Sequence, residues 1–188
     1  MSDRSVFGES FDGLLVAAQA GSGWALERLW TALAPRVVGY LLVQGVRDAE
    51  DVASEAFLSV FRAITTFSGD EAGFRSWVFT IAHRRLLDAR RRAARTPDTA
   101  ALEHVPELAD PKSAETDVLR RLATERVRAL CERLGADQRD VLLLRLAGGV
   151  TVEEAAVAIG KSPGAVKALQ RRGLAGIRRM LEQEGVTL

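Results

Sequence analysis

Residues 151–181, TVEEAAVAIGKSPGAVKALQRRGLAGIRRML, decide the fold. Thr151, with Glu154 three positions later, has the form of a capping box, and it starts a helix that runs through Ala155, Ala156 and Ile159. Gly160 stops that helix. Ser162 is a good N-cap and Pro163 a good first helical residue, so a second helix begins only about three residues after the first. A connection this short forces a sharp crossing. In the second helix Val166, Leu169, Gly173, Ile177 and Leu181 mark an inner face, while Lys167, Gln170, Arg171 and Arg178 lie mainly away from it. From Lys161 to Met180 there are six bases and no acid. A solvated helix normally mixes signs, whereas attraction to phosphate explains a one-sign block directly. The pattern predicts a helix-turn-helix whose second helix enters a major groove, although two amphipathic helices around a glycine turn also occur in any helical bundle.

Upstream, Gly148-Gly149 ends the stretch DQRDVLLLRLA, for which Asp137 is the predicted cap, and residues 114–134 read as a charged amphipathic helix. Residues 95–113, RTPDTAALEHVPELADPKS, hold three prolines, many acids and no usable helical period, and read as a flexible linker. Before it, FRSWVFTIAHRRLLDARRRAAR (74–95) places Phe74, Trp77, Val78 and Ile81 on an apolar face, leaves Phe79 the more exposed by helical phase, and crowds its later turns with arginine. In DAEDVASEAFLSVFRAITTF (48–67) Val52, Ala56, Phe57, Val60, Ile64 and Phe67 recur at three and four, opposite a polar stripe of Asp51, Glu55, Ser59 and Arg62. Residues 11–20 and 22–34 read as short helices separated by Gly21, and Pro35 as the start of a third that stops at Gly45. The fold class is therefore all-α: two small helical domains, 1–94 and 114–188, joined by a flexible acidic linker at 95–113, with the helix-turn-helix in the second.

Composition excludes several classes. With 47% apolar and 27% charged residues, the 188-residue chain is an ordinary globular one. No stretch approaches the roughly 18 to 20 apolar residues of a membrane span, and the amino terminus lacks a basic region followed by an apolar run, so a cytoplasmic protein without membrane insertion is expected. The single cysteine, Cys131, reads as a small buried apolar residue, far in sequence from His83 and His104. No Walker loop, G-x-S-x-G, paired carboxylate site or metal-ligand spacing occurs, so no catalysis, cofactor or metal is expected.

The net charge of +1 conceals segregation. From Arg75 to Arg95 seven arginines face one acid, Asp88, and from Thr96 to Val118 six acids face Lys112 alone. Two basic helices thus flank an acidic connector. In the first, Phe74, Trp77 and Phe79 are interleaved with Arg75, Arg84 and Arg85, a mixture that can hold a nucleic-acid backbone while unstacked bases rest on rings or guanidinium planes, although Phe74 and Trp77 fit the core better.

These stretches resemble, in order, the segments of the extracytoplasmic-function (ECF) sigma factors, the small two-domain members of the bacterial sigma-70 family, from about Phe11 to Leu181. DAEDVASEAFLSVFRAI is similar to the segment that binds the clamp helices of the RNA polymerase β' subunit, FRSWVFTIAHRRLLDARRR to the −10 element segment, and residues 137–181 to the −35 binding domain. The resemblance implies that Asp48, Asp51, Glu55, Leu58 and Ser59 dock on core polymerase, where charge complementarity sets orientation and rate. It implies that Arg84, Arg85, Arg90, Arg91 and Arg92 hold the melted strand, and that the loop around Phe67, with Ile81 and Arg84, holds a base flipped from the −10 element. Lys167, Ala168, Arg171 and Arg172 would face the −35 major groove, and Ser162 with its helix N-terminus would meet phosphate. The implied partners are core polymerase (β' clamp helices and β flap), promoter DNA and an anti-sigma protein. The implied action is to bind core polymerase, direct it to promoters with both elements and promote strand opening. His83-Arg84 departs from the Asn common in the family at that place, and Leu169-Gln170 from its more usual Arg-Leu order. A stand-alone helix-turn-helix regulator binding duplex operators is the alternative; it has no need of the stripe at 48–59 or of the first basic helix.

Overall fold

The structure, a computed structural model, describes Phe7 and residues 11–95 and 114–185. These residues form eight α-helices and no strand: α1 (Phe11–Gln19), α2 (Gly23–Val43), α3 (Ala49–Ala63), α4 (Glu71–Arg95), α5 (Ala114–Glu132), α6 (Ala136–Ala147), α7 (Val152–Ile159) and α8 (Pro163–Gln183), with one 3₁₀ turn at Ile64–Thr66. The predicted linker lies outside the described residues except for Arg95, which is the last residue of α4.

The predicted break before Pro35 does not occur; α2 runs through it. Proline removes one backbone N–H and disfavours a helix interior by about 3 kcal/mol. Here Pro35 and Thr31, whose carbonyl loses its partner, are both exposed, so water can reach the freed group. On the opposite side Ala25, Leu29, Leu33, Val37 and Leu41 form one buried stripe spanning both sides of the proline. Continuous burial of that stripe outweighs the local penalty.

In the first half, α2, α3 and α4 pack on one another. Phe11, Phe67 and Trp77 gather round Phe74, with ring centroids 5.2 to 5.8 Å from it. The turn carrying Phe67 is tied down by Gln19, whose Nε2 donates to the carbonyls of Ile64 (3.0 Å) and Phe67 (2.9 Å). In the second half α6, α7 and α8 pack together, and α5 lies against both α8 and α2. Thr151 and Glu154 form the reciprocal capping box, Gly160 takes φ +66°, and the Ser162 hydroxyl accepts from the Ala165 amide at 3.2 Å. The helix-turn-helix predicted from residues 151–181 is thus present cap by cap. Asp137 is not a cap: Gly135 occupies that position, and Asp137, one residue inside α6, pairs with Lys161 at 2.8 Å. Cys131 is buried.

The two halves share one apolar core. Val141, Leu144, Val150, Ala155 and Val166 of the second half belong to the same buried cluster as Phe74, Val78, Phe79 and Leu86 of the first. A small satellite of Leu134, Leu142 and Met180 holds α6 against the end of α8.

Candidate nucleic-acid interface

Of the predicted inner face of α8, Val166, Leu169 and Gly173 are buried and Ile177 and Leu181 half-buried, while Met180, not among them, is buried. Lys167, Arg171 and Arg172 are exposed, Ala168 is half-buried, and Ser162 is exposed at the N-cap. Lys167 and Arg171, four residues apart, stand one turn from each other along the helix, about 6 Å of rise. Among the described residues none of these three bases has an ion pair. Sequence reasoning missed Arg145. From the last turn of α6 its Nη1 donates to the Val150 carbonyl (2.6 Å) and its Nε to Gln170 Oε1 (3.3 Å), which fixes the carboxamide beside the basic row.

The first basic helix is arranged differently. Arg84 is exposed and Ile81 half-buried. Phe67 stacks on Trp77 at 5.2 Å. Arg85 donates to Ser59 Oγ at 2.7 Å, Arg91 pairs with Asp88 at 2.9 Å, and Arg92 pairs with Glu55 at 3.1 Å. Glu55 holds the Arg92 guanidinium above its ordinary value, by hydrogen bond and by charge. Arg90 donates to the carbonyl (3.2 Å) and Oε1 (2.7 Å) of Gln44 and lies 3.5 Å from Asp140. The structure therefore joins two sets that the sequence kept apart: Glu55 and Ser59 of the α3 stripe hold Arg92 and Arg85 of α4. Asp48 and Asp51 are exposed on that stripe, as is Leu58 at 54%. An open groove of about 940 Å³ between the start of α3 and the end of α4 is lined by Asp48, Asp51, Glu55, Arg90 and Arg92.

One expectation about α4 is overturned. Phe79, expected to be the more exposed ring, is fully buried, and so is His83. Both lie against Tyr40 of α2, Phe79 with ring centroids 5.5 Å apart and His83 through Nδ1 at 2.8 Å, and the second half of the chain closes over Phe79 at Gly148. A Cβ added at Gly148 would lie 2.7 Å from Phe79 Cγ, so only glycine permits this approach. Arg75, at 8% exposure, and Ser76, at 2%, are buried by the same contact.

A polar network runs through the contact. Gln44 Nε2 donates to Asp140 Oδ1 at 2.8 Å and to the Tyr40 hydroxyl at 3.4 Å, so the phenol hydrogen goes to His83 Nδ1 at 2.8 Å. That assignment leaves the imidazole hydrogen on Nε2, which is buried without a partner. Burial pushes His83 below its ordinary 6.5, with Asp140 opposing and Arg90 reinforcing. Burial, then Asp140, drives the Tyr40 phenol upward. At the far end Ser76 Oγ donates to Glu154 Oε2 at 2.6 Å, and the same oxygen accepts from the Thr151 amide at 2.7 Å. Burial alone would raise the Glu154 carboxyl, but the hydrogen bonds from Ser76 and Thr151, together with Arg145, hold it below its ordinary range.

Among the described residues no cluster of potential metal ligands occurs, and no helix is long and apolar enough to cross a membrane.

Residues 29–96 match the family model "Sigma-70 region 2", and residues 124–175 match "Sigma-70, region 4". The chain is 31% identical over 173 residues to the ECF RNA polymerase sigma factor BldN of Streptomyces coelicolor, covering 91% of this chain and 66% of that protein. It is 34% identical over 137 residues to the ECF RNA polymerase sigma factor ShbA of Streptomyces griseus, covering 71% of this chain and 72% of that one. To SigD of Mycobacterium tuberculosis, also an ECF RNA polymerase sigma factor, it is 31% identical over 174 residues, 89% of this chain and 82% of that protein. Among solved structures, CnrH in complex with the cytosolic domain of CnrY superposes with a TM-score of 0.64 at 22% identity, over 93% of this chain and 99% of that one, which is a likeness of fold.

Proposed function

The chain belongs to the ECF RNA polymerase sigma factors of the sigma-70 family, and from that premise we propose that it binds core RNA polymerase, directs it to promoters with −10 and −35 elements, and promotes strand opening. The observation that carries this reading is the order of parts on one chain: a bundle ending in the arginine-rich α4, then a helix-turn-helix whose outer row of Lys167, Arg171 and Arg172 is exposed. Asp48, Asp51, Glu55, Leu58 and Ser59 dock on polymerase. Phe67, Ile81 and the arginines 84, 85 and 90–92 meet the melted −10 strand, while Ser162, Lys167, Ala168, Arg171 and Arg172 meet the −35 duplex. The first domain spans 1–94 and the second 114–188. The chain works by binding rather than by chemistry of its own groups, acts in the cytoplasm where polymerase and DNA are, and is held by an anti-sigma protein when not in use.

Retention of purified core polymerase on the tagged protein tests this. Core polymerase should be retained by the full chain, and less well by a variant with Asp51→Arg and Glu55→Arg. Binding of duplex DNA without any retention of polymerase would instead identify an operator-binding regulator.

A further inference from the structure

On α8 one polar side chain is treated differently from its neighbours. Lys167, Arg171 and Arg172 project into solvent with no ion pair among the described residues, whereas the half-buried Gln170 is held from another helix, its Oε1 accepting from Arg145 Nε at 3.3 Å. Arg145 is itself fixed. Its Nη1 donates to the Val150 carbonyl at 2.6 Å, and its charge acts on the Glu154 carboxylate. Val150 immediately precedes the Thr151 cap of α7, so one guanidinium ties the end of α6 to the start of α7 and the middle of α8. Gln170 stands at the edge of the exposed row. Lys167, three residues before it, and Leu174, four after, share its stripe and are exposed, Leu174 at 43%.

Chemistry fixes which way this carboxamide points. A guanidinium only donates, so Oε1 faces Arg145, and Nε2 with its two hydrogens faces away. A Gln free to turn pairs with adenine by using its oxygen and nitrogen together, but one whose oxygen is turned to a guanidinium offers donors alone. In the major groove the base that presents two acceptors and no donor is guanine, at N7 and O6. Resting on the reading of α8 as the −35 helix, we infer that Gln170 is a specificity-determining residue that reads a guanine in the −35 element, and that Arg145 is the positioning residue that gives it this preference. The rotamer freedom that a long amide loses on binding is already given up in the free protein, so the contact forms at a lower entropic cost.

The test is transcription in vitro by the full chain with core polymerase, on a library of promoters randomised through the −35 element and each barcoded in its transcript. The unmodified protein should select guanine at one position where Gln170→Ala loses the preference by roughly fivefold or more, with selection at the other positions kept. At that same position Arg145→Met, which frees Oε1, should move the preference from guanine towards adenine. A merely structural role for either residue would weaken all sequences alike. Unchanged selection in Gln170→Ala, or weakening spread evenly over every position, overturns the proposal, and retention of guanine by Arg145→Met overturns the role given to Arg145. Gln170→Ala adds no bulk at a half-exposed site, so its result stands whether or not Arg145→Met folds. Selection of no base in the upstream element by the unmodified protein would sink the reading of α8 as the −35 helix and this proposal with it. Selection that persists unaltered in Gln170→Ala sinks this proposal alone.

Discussion

The two basic helices of this protein carry their charge in opposite ways. On α8, Lys167, Arg171 and Arg172 project into solvent with no ion pair among the described residues, ready to meet phosphate or base edges. On α4 most of the arginines are already engaged: Arg85 with Ser59, Arg90 with Gln44 and Asp140, Arg91 with Asp88, Arg92 with Glu55. The difference fits the two roles proposed for these helices, duplex binding for α8 and single-strand binding for α4. A duplex is always present, so a rigid exposed row suffices, whereas a single strand exists only after melting, and side chains meant for it can be held by the protein until then.

The largest effect should come from the exposed helix. Lys167→Ala with Arg171→Ala removes two contacts worth about 1–3 kcal/mol each if they reach bases or phosphates, so promoter-specific transcription should fall at least tenfold while polymerase retention is unchanged. Joint loss of both activities would break the comparison, since α8 would then be structural. Next is Asp140→Ala, which strips a buried acceptor from Gln44 and Arg90. An unsatisfied buried group of this kind costs about 1–3 kcal/mol, so the melting temperature should drop by several degrees in calorimetry. Arg84→Ala, at an exposed position on α4, should leave it unchanged.

Acid should act on the same contact. Because His83 is held below its ordinary 6.5, its contribution is fully present above that value and weakens as the pH falls below it, where an opened, hydrated imidazole takes a proton more readily. The charged and titratable groups facing it are Tyr40 of α2, Arg90 of α4 and Asp140 of α6. Glu154, also lowered, contributes above its ordinary 4.5 and is lost only at still lower pH. Melting temperature should therefore decline between about pH 7 and 5.5, and His83→Gln should flatten that decline. The smallest effect is expected from Glu55→Ala. An exposed pair contributes little, so the melting temperature should move by no more than about a degree, in sharp contrast to Asp140→Ala.

What could be read from the sequence was what is local. The capping box at Thr151 and Glu154, the left-handed Gly160 and the Ser162-Pro163 start are set by neighbours within four residues, and each was legible. Exposure of Lys167 and Arg171 followed from helical phase against Val166 and Leu169. Phase misled at Phe79 because it reports a helix only against its near neighbours, and a surface that covers this ring comes from Gly148, more than fifty residues away. Pro35 misled for the converse reason: a local penalty was overridden by a buried stripe running the length of α2. Arg145, a single base in an apolar run, gave no signal of its hold on Gln170.

The most direct test of the account is transcription in vitro with purified core polymerase, this protein and a genomic DNA library, with start sites mapped by sequencing the transcripts. The account predicts new transcripts whose upstream DNA shares two elements at one fixed spacing. No added transcript, with duplex binding by the protein alone, would contradict it.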